Sequence, residues 1–492
     1  MIKDRKHIIE ILDNIYNQYS GTFKNGNGEN FWPFYRIQIG YILYTIIGSK
    51  YNHKNDNVRL KYVPFKYRVR DFYILCKLFI RVCILKFKYN NKLKGKALLF
   101  GYNDHYYLSN GKSINSYLSP FAHEIDGKIE YEELLLFHNI ANKKGTDLYN
   151  LYDTFYRYQK SKALIKGLFN KINKEAFESA SVVNDYLVSK EIKQHGYISN
   201  VLYQGIIDFE IKTQTFLLFL KIVNPKLIWT YCFYDGATMA LIRASNRLKI
   251  NSVEYQHSIQ PDEHFAYAKW QDIDEYPDFF PAKFWVWQQS DKERIFRNFT
   301  GYNYLPKPVF GGNLFSLHEK EINNSFPSEN KRGILITLQG EWVPFYLEAV
   351  IKEDVKYLWY FRLHPRYPVD KEQLLKFRDA FSEKVEIDDA NNLTVYELFR
   401  KIKFHITAAS GVALESKGFG IKNIITGEFG LSAYKAEIDS GLFSYCTDKD
   451  TMCKLLYSET DFNEKLDDNT LEERKIVDEE LNKLLLNEEN NL

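Results

Sequence analysis

Short apolar runs closed by Gly, Asp or His-Pro alternate with amphipathic stretches along most of this chain, and the alternation begins near residue 95. Lys96-Ala-Leu-Leu-Phe-Gly101 reads as a buried strand ended by glycine. Residues 130–195 read as helical, with glycine breaks near 145 and at 167. Lys226 to Phe233 is a strand that ends at Asp235-Gly236, Ala237 to Lys249 a helix, and Asn251 to Gln256 a second strand broken at His257-Ser258. Strand, helix and strand with short joins form a βαβ unit, which implies a parallel sheet. Residues 260–281 are aromatic and acidic without a clear period and read as a long loop. Lys283 to Trp287 is another strand, and residues 300–332, with several Gly and Pro and the polar run SFPSENKRG, read as a linker.

The alternation then restarts. Strands are predicted at Gly333–Leu338, Tyr357–Leu363, Val385–Ile387, Phe404–Ala408 and Lys422–Thr426, with helices over 343–353, 370–382, 394–402 and 411–418. From about 470, LEERKIVDEELNKLLL is an acidic amphipathic helix. Residues 1–19 also read as a helix, followed by a polar loop and an apolar segment with Trp32 and Tyr35. The expected division is a helical, basic extension over 1–95, an α/β domain over 96–315, a second over 316–470 and a terminal helix over 471–492. Two doubly wound domains in succession predict a cleft between them, with ligands at the carboxyl ends of the strands.

The 492 residues are too many for one core and suit two domains of this size. With 45% hydrophobic and 26% charged residues the chain is globular rather than disordered. Cys76, Cys83, Cys232, Cys446 and Cys453 form no C-x-x-C pair and no metal spacing, so they read as reduced thiols of a cytoplasmic protein. No apolar run is long enough to span a bilayer, and the first residues are too charged for a secretory signal. Charge changes the picture more. Residues 58–96 carry twelve Lys/Arg and one acid, Asp71, a local +11 that leaves −8 for the rest of a chain whose net charge is +3. A basic segment on an acidic body predicts a specific anionic partner.

The unusual residues fall at predicted strand ends. In the second domain these are Gln339-Gly340-Glu341, Arg362-Leu-His364-Pro365-Arg366 and Ala408-Ala-Ser410-Gly411. A turn of small residues leading into a helix offers backbone N–H groups and close approach, which suits a phosphate, helped by the helix dipole and the Ser410 hydroxyl. His364 and Arg366 add donors. Glu415, one turn into that helix on the face of Gly411 and Val412, is placed to accept ribose hydroxyls. Ser410 also reads as a plain N-cap, and Glu415 as a solvated acid pairing with the dipole.

FRLHPRYP at 361–368, YELFRKIKFHITAASGVALES at 396–416 and KGFGIKNIITG at 417–427 resemble bacterial glycosyltransferases of the GT-B fold that build capsule and lipopolysaccharide, both sialyltransferase-like and CDP-glycerol glycerophosphotransferase-like. The resemblance covers residues 330–430, loosely 226–260, and not 1–200. It implies two Rossmann-like doubly wound domains facing a cleft, with His364 and Ser410 binding the donor's nucleotide phosphate. Ala409 stands where many relatives carry a second Ser or Thr. Tyr234-Asp235-Gly236 is similar to the acidic-acidic-Gly motif of the sialyltransferases, and Val253-Glu254-Tyr-Gln-His257-Ser258 resembles the strand ending in His-Gly of the CDP-glycerol enzymes. Transfer needs a base for the acceptor hydroxyl, and Asp235, His257 and Glu254 are the candidates. Asp235-Gly236 reads equally as an ordinary turn and His257 as a hydrogen-bonded wall.

The resulting expectation is a metal-independent glycosyltransferase without cofactor, moving a sugar from a nucleotide-activated donor, CMP-linked by preference, to a cell-surface glycan or glycolipid. Two alternatives stay open: a CDP-polyol phosphotransferase of the same fold, and a non-catalytic glycan- or nucleotide-binding protein. In the basic segment Arg70, Lys77, Arg81 and Lys88 fall within about 20° of one line at 100° per residue, with Phe72, Leu75, Phe79, Val82 and Ile84 on other faces. Such a helix suits the anionic inner face of the cell membrane, reached through residues 58–96. It suits equally a surface helix packed on the domain. Nucleic acid is not expected, because the remainder of the chain is acidic.

Overall fold

The computed structural model describes residues 4–25, 28–48, 65–103, 106–109, 112–136, 146–165, 168–192, 197–322, 332–364, 369–457 and 470–486. The chain condenses into two units. One comprises Met1–Leu108, Lys112–Gln256 and Asp262–Val309, the other Ser109–Gly111, His257–Pro261 and Phe310–Leu492.

In the first unit the strands are β1 (Ala97–Tyr102), β2 (Tyr106–Ser109), β3 (Lys112–Asn115), β4 (Tyr131–Leu136), β5 (Leu227–Tyr231), β6 (Asn251–Tyr255), β7 (Lys283–Val286) and β8 (Lys307–Phe310). β2 and β3 pair only with each other, and the rest form one sheet in the order β4-β1-β5-β6-β7-β8. β4, β1, β5, β6 and β7 run parallel. β1 and β5 are buried throughout, as their unbroken apolar runs require. Leaving the hairpin aside, strand order reverses between β1 and β5.

Two expectations change here. Residues 131–136 are a strand, not part of a helix. They pair residue for residue with β1, from Ala97 opposite Tyr131 to Tyr102 opposite Leu136, and bury Leu134 and Leu136. Sheet pairing outweighs the helix preference of Glu and Leu. Helices do follow, over Asp147–Ile165 and Leu168–Ser189. Residues 260–281 form the long loop expected, tightened by two 3-10 turns, Ile273–Glu275 and Pro277–Phe279, and they bury Phe265, Tyr267, Trp270, Tyr276 and Phe280. The stretch expected as a linker holds β8 and a helix, Leu314–Ile322, while residues 323–331 lie outside the described ones.

A long helix, Tyr197–Val223, packs beside helix Gly236–Arg247. Arg243 joins them from a fully buried position. It pairs with Glu210, with Glu29 at 3.3 Å and with Asp278 at 3.4 Å, and its guanidinium lies over the rings of Phe31 and Phe279. A buried cation is tolerable only with such compensation. This clamp holds the helix whose first turn follows Asp235.

The second unit carries β9 (Gly333–Leu338), β10 (Leu358–Leu363), β11 (Val385–Glu386), β12 (Ile402–Thr407), β13 (Lys422–Ile425) and β14 (Phe443–Tyr445). They run parallel in the order β11-β10-β9-β12-β13-β14. Counted by appearance this is third, second, first, fourth, fifth, sixth, the order of dinucleotide-binding sheets, with the reversal between β9 and β12. The terminal helix Thr470–Leu486 lies on helix Leu314–Ile322 through Lys320–Glu473 at 2.9 Å and Arg474–Glu321 at 2.6 Å. Two doubly wound α/β units and a helical N-terminus match the α/β architecture expected from the sequence.

Candidate functional site: the two strand-order reversals

Where strand order reverses, helices leave the sheet on opposite faces, and the strand ends open a crevice. In the second unit the reversal falls between the ends of β9 and β12. Half-buried Gln339 and exposed Gly340 follow β9, and the φ of +89° at Gly340 is one that glycine alone adopts without strain. After β12 comes Ala408-Ala409-Ser410-Gly411. Ser410 is buried. Its N–H donates to Thr407 Oγ1 at 3.1 Å, its Oγ accepts from the N–H of Val412 at 3.3 Å, and its carbonyl accepts from the Tyr434 hydroxyl. The reason for the small residues lies behind the turn. A Cβ on Gly430 would run into the Ala408 carbonyl oxygen, and one on Gly427 would sit 3.0 Å from Ala408 Cβ. On the other side, a Cβ on Gly411 would stand 3.1 Å from Ser258 Oγ.

The helix predicted over 411–418 spans only Val412–Glu415. Ser416 Oγ lies 3.0 Å from the Ala413 carbonyl, and Gly418 and Gly420 take φ of +83° and +67°, which turns the chain out of the helix. One turn of aligned peptides carries little macrodipole, so the dipole contribution expected here shrinks. Two N–H groups of the turn, those of Ser410 and Val412, already have partners. The turn offers close backbone approach rather than a strong field.

His405, which the sequence reading gave no role, braces this turn. It is fully buried on β12, with Nδ1 2.8 Å from Asn423 Oδ1 and Nε2 2.9 Å from Thr337 Oγ1. A carbonyl oxygen only accepts, so Nδ1 carries the proton and Nε2 accepts from the threonine hydroxyl. Burial pushes the imidazole down to about 4, so it is neutral. Ser416 Oγ lies 3.0 Å from the same Asn423 oxygen. One polar chain thus links β9, β12, β13 and the residue after the short helix. The alternation of His405 inside an apolar strand was its only signal in the sequence.

Glu415 is half-buried, and burial pushes its carboxyl up to about 7, against the pull of Arg362 and a hydrogen bond with Tyr396. Tyr396 Oη lies 2.9 Å from Ser316 Oγ, and Arg362 Nη1 donates to the carbonyls of Ala390 and Leu393, each at 2.8 Å. Glu415 therefore belongs to a protein network and is not a solvated acid. His364 is half-buried immediately after β10, next to β9 in the sheet. Arg366 lies outside the described residues.

In the first unit, β1 and β5 end at the reversal. Asp235 caps helix Gly236–Arg247. Its Oδ2 accepts from the N–H of Ala237 at 2.8 Å and of Thr238 at 3.2 Å, and from the Tyr102 hydroxyl. Tyr102, the last residue of β1, was not singled out from the sequence because the predicted strand stopped at Gly101. Burial and the Asp235 carboxylate raise its phenol, which stays a neutral donor. Cys232 takes a φ of +57° and bends the chain off β5. The bend directs the N–H of Phe233 to Glu254 Oε1 at 3.3 Å, which also accepts from the Tyr267 hydroxyl at 2.6 Å. Glu254 is buried, and desolvation pushes its carboxyl up to about 8. At neutral pH it holds a proton, a poor state for a base. Its Oε2 is buried without a hydrogen-bond partner.

Gln256 is locked to Trp287 N–H at 2.8 Å and Asp291 at 3.0 Å, and the chain then leaves β6. His257–Pro261 belong to the second unit, where Ser258 meets Gly411 and Ile259 packs on Ala413, Ile425 and Tyr434. The structure thus brings the 257–261 segment together with the Ser410 turn, whereas Asp235, Tyr102 and Glu254 group in the first unit. Among the described residues no three His, Cys, Asp or Glu side chains are placed to hold a metal ion.

No protein-family model and no curated protein matches this chain. Among solved structures, UDP-GlcNAc 2-epimerase from Neisseria meningitidis is similar at 11% identity, over 78% of this chain and 99% of that one, with a TM-score of 0.45. MurG from Acinetobacter baumannii is similar at 10% identity, over 78% and 92%, with a TM-score of 0.37. The wall teichoic acid polymerase TagF is similar at 11% identity, over 85% and 92%, with a TM-score of 0.36.

Proposed function

We propose that the protein is a glycosyltransferase that binds a nucleotide-activated sugar in its second unit and passes the sugar to a cell-surface glycan or glycolipid. The observation that carries this is the strand-order reversal between β9 and β12, with Gln339-Gly340 on one lip and Ser410-Gly411 on the other. The backbone turn and the Ser410 hydroxyl receive the leaving phosphate, His364 approaches it from β10, and Glu415 addresses the ribose. Asp235 or His257 takes the proton of the acceptor hydroxyl as the sugar–phosphate bond opens. No metal or cofactor is assigned. The donor is a CMP-linked sugar by preference, and the third partner is the anionic inner face of the membrane, met by the 58–96 segment.

The test is thermal stabilisation by CMP, UDP and GDP side by side, repeated with Ser410→Ala and His364→Ala. Nucleotide at 100 times its dissociation constant stabilises by about 2.7 kcal/mol. Each substitution is expected to weaken binding by about 1–3 kcal/mol if its side chain bonds a charged phosphate. No shift with any of the three nucleotides, or unchanged affinity in both variants, overturns the donor site.

A further inference from the structure

Helix Phe65–Tyr89 has two apolar faces, and among the described residues only one is covered. Val82 and Tyr89 are buried, and with half-buried Leu75, Leu78 and Leu85 they form the side packed on helix Asp147–Ile165. At roughly 100° per residue the opposite side carries Tyr73, Ile80, Ile84 and Phe87, with Phe72 and Phe79 at its edge. Their exposures are 69% for Tyr73, 61% for Ile80, 62% for Ile84 and 91% for Phe87. Exposed Cys76 and Cys83 lie on the same side. Lys77, Arg81 and Lys88, all exposed, border this face along one edge, with Lys86 on the other. From Phe72 to Lys96 there is no acid. The side chain of Arg70 lies outside the described residues.

A contiguous apolar face of this size does not stay in water without an occupant. A second copy of the same helix would set two cationic edges against each other with no acid to pair them. An anionic bilayer meets both features at once. Its headgroups neutralise the lysines and arginine, and its acyl boundary takes the aromatic and aliphatic side chains. Among the described residues no helix is long and apolar enough to cross a membrane, so the helix lies in the interface plane.

We infer that helix Phe65–Tyr89 is a membrane-inserting element, held by its outward apolar face and oriented by its basic edges. This deepens the membrane partner named above by assigning the attachment to the outward apolar face as well as the basic edges. It rests on that part of the reading alone, since vesicle binding is measured without donor or acceptor. A failed nucleotide titration leaves it standing, and its failure leaves the donor site untouched.

The test is co-sedimentation of the full chain with vesicles of phosphatidylglycerol and phosphatidylcholine, against pure phosphatidylcholine, at low salt and in 1 M salt. Phe72→Ser, Ile80→Ser and Phe87→Ser combined are expected to lower affinity on the order of 100-fold under every condition. Lys77→Gln, Arg81→Gln and Lys88→Gln combined are expected to lower it comparably on anionic vesicles at low salt and hardly at all in 1 M salt. An environment-sensitive dye on Cys83 is expected to shift to the blue on vesicle binding. The six residues are exposed, so both variants should melt like the wild type. Full release of the wild type by salt, an apolar variant that binds like the wild type, or a wild type that dimerises through this face and ignores vesicles overturns the inference.

Discussion

Replacing Glu254 by Gln should stabilise the first unit, and increasingly so as pH rises. The carboxyl titrates near 8 in the fold against an ordinary 4.5, because burial strips its charged form of water. A folded value above the unfolded one gives stability that is complete below 4.5 and lost as pH climbs through 8. At about 1.36 kcal/mol per pH unit, the loss is roughly 3 kcal/mol at pH 7 and approaches about 5 above pH 8. Gln does not ionise and escapes this term. Its Oε1 keeps the acceptor for Phe233 N–H and the Tyr267 hydroxyl. Its Nε2 replaces an oxygen that has no partner, which costs about 1 kcal/mol at every pH and leaves the slope alone. Other titrating groups are common to both proteins and cancel in the difference. The assay is hydrogen exchange of peptides within 227–255, corrected for intrinsic rates, from pH 5 to 8. The gap in opening free energy should widen by about 1.4 kcal/mol per unit. Parallel curves for the two proteins would refute the neutral carboxyl, and with it the argument against Glu254 as a base.

Asp235→Asn should separate capping from catalysis. Asn caps helices about as well as Asp, so the loss of stability should stay near 1 kcal/mol, whereas Asp235→Ala forfeits the cap and strands the Tyr102 hydroxyl for about 2–4 kcal/mol. If Asp235 is the base, nucleotide release from a donor sugar should fall about 10²–10⁴-fold in the Asn variant with donor affinity unchanged; normal turnover with a dead His257→Ala would move the role to His257. His405 has a folded value near 4 against 6.5 unfolded, so its stabilisation is present above 6.5 and lost as pH falls towards 4. The advantage of wild type over His405→Leu in urea unfolding should therefore shrink by about 3 kcal/mol between those pH values; a constant gap would show that His405 is not held neutral.

How much of this was legible in the sequence follows from what each signal measures. Strands β5, β6, β9, β10, β12 and β13 lie within about two residues of their predicted limits, because a strand buried on both faces has to be an unbroken apolar run ended by a turn residue. Tyr131–Leu136 was misread because its residue types favour a helix, and its strand state is decided by β1, far away in sequence. The short helix at Val412 was overestimated because Ser416, Gly418 and Gly420 act through back-bonding and positive φ, which periodicity does not register. The strand ends supplied most of the residues considered for the candidate site. Tyr102 and His405 escaped, since each looks like one more residue of a strand until its partner is known. For helix Phe65–Tyr89 the sequence showed the basic line and the apolar residues beside it but not which apolar face is covered, because an apolar stripe looks the same whether or not another helix lies on it.

The crowding around Ala408 sets limits on any attempt to reshape the proposed donor site by directed evolution. The turn is filled from behind by Gly427 and Gly430, so its shape is fixed by packing and not by what it binds. Randomising 430 would be lost to the clash of any Cβ with the Ala408 carbonyl oxygen, and randomising 427 would press on Ala408 Cβ, even though both positions look like binding-loop residues. Gln339 and Gly340 form the opposite lip, and Gln339 takes an ordinary backbone conformation while Gly340 does not. Diversity placed at 339, with 340 kept as glycine, would sample the crevice without disturbing the wall that shapes it.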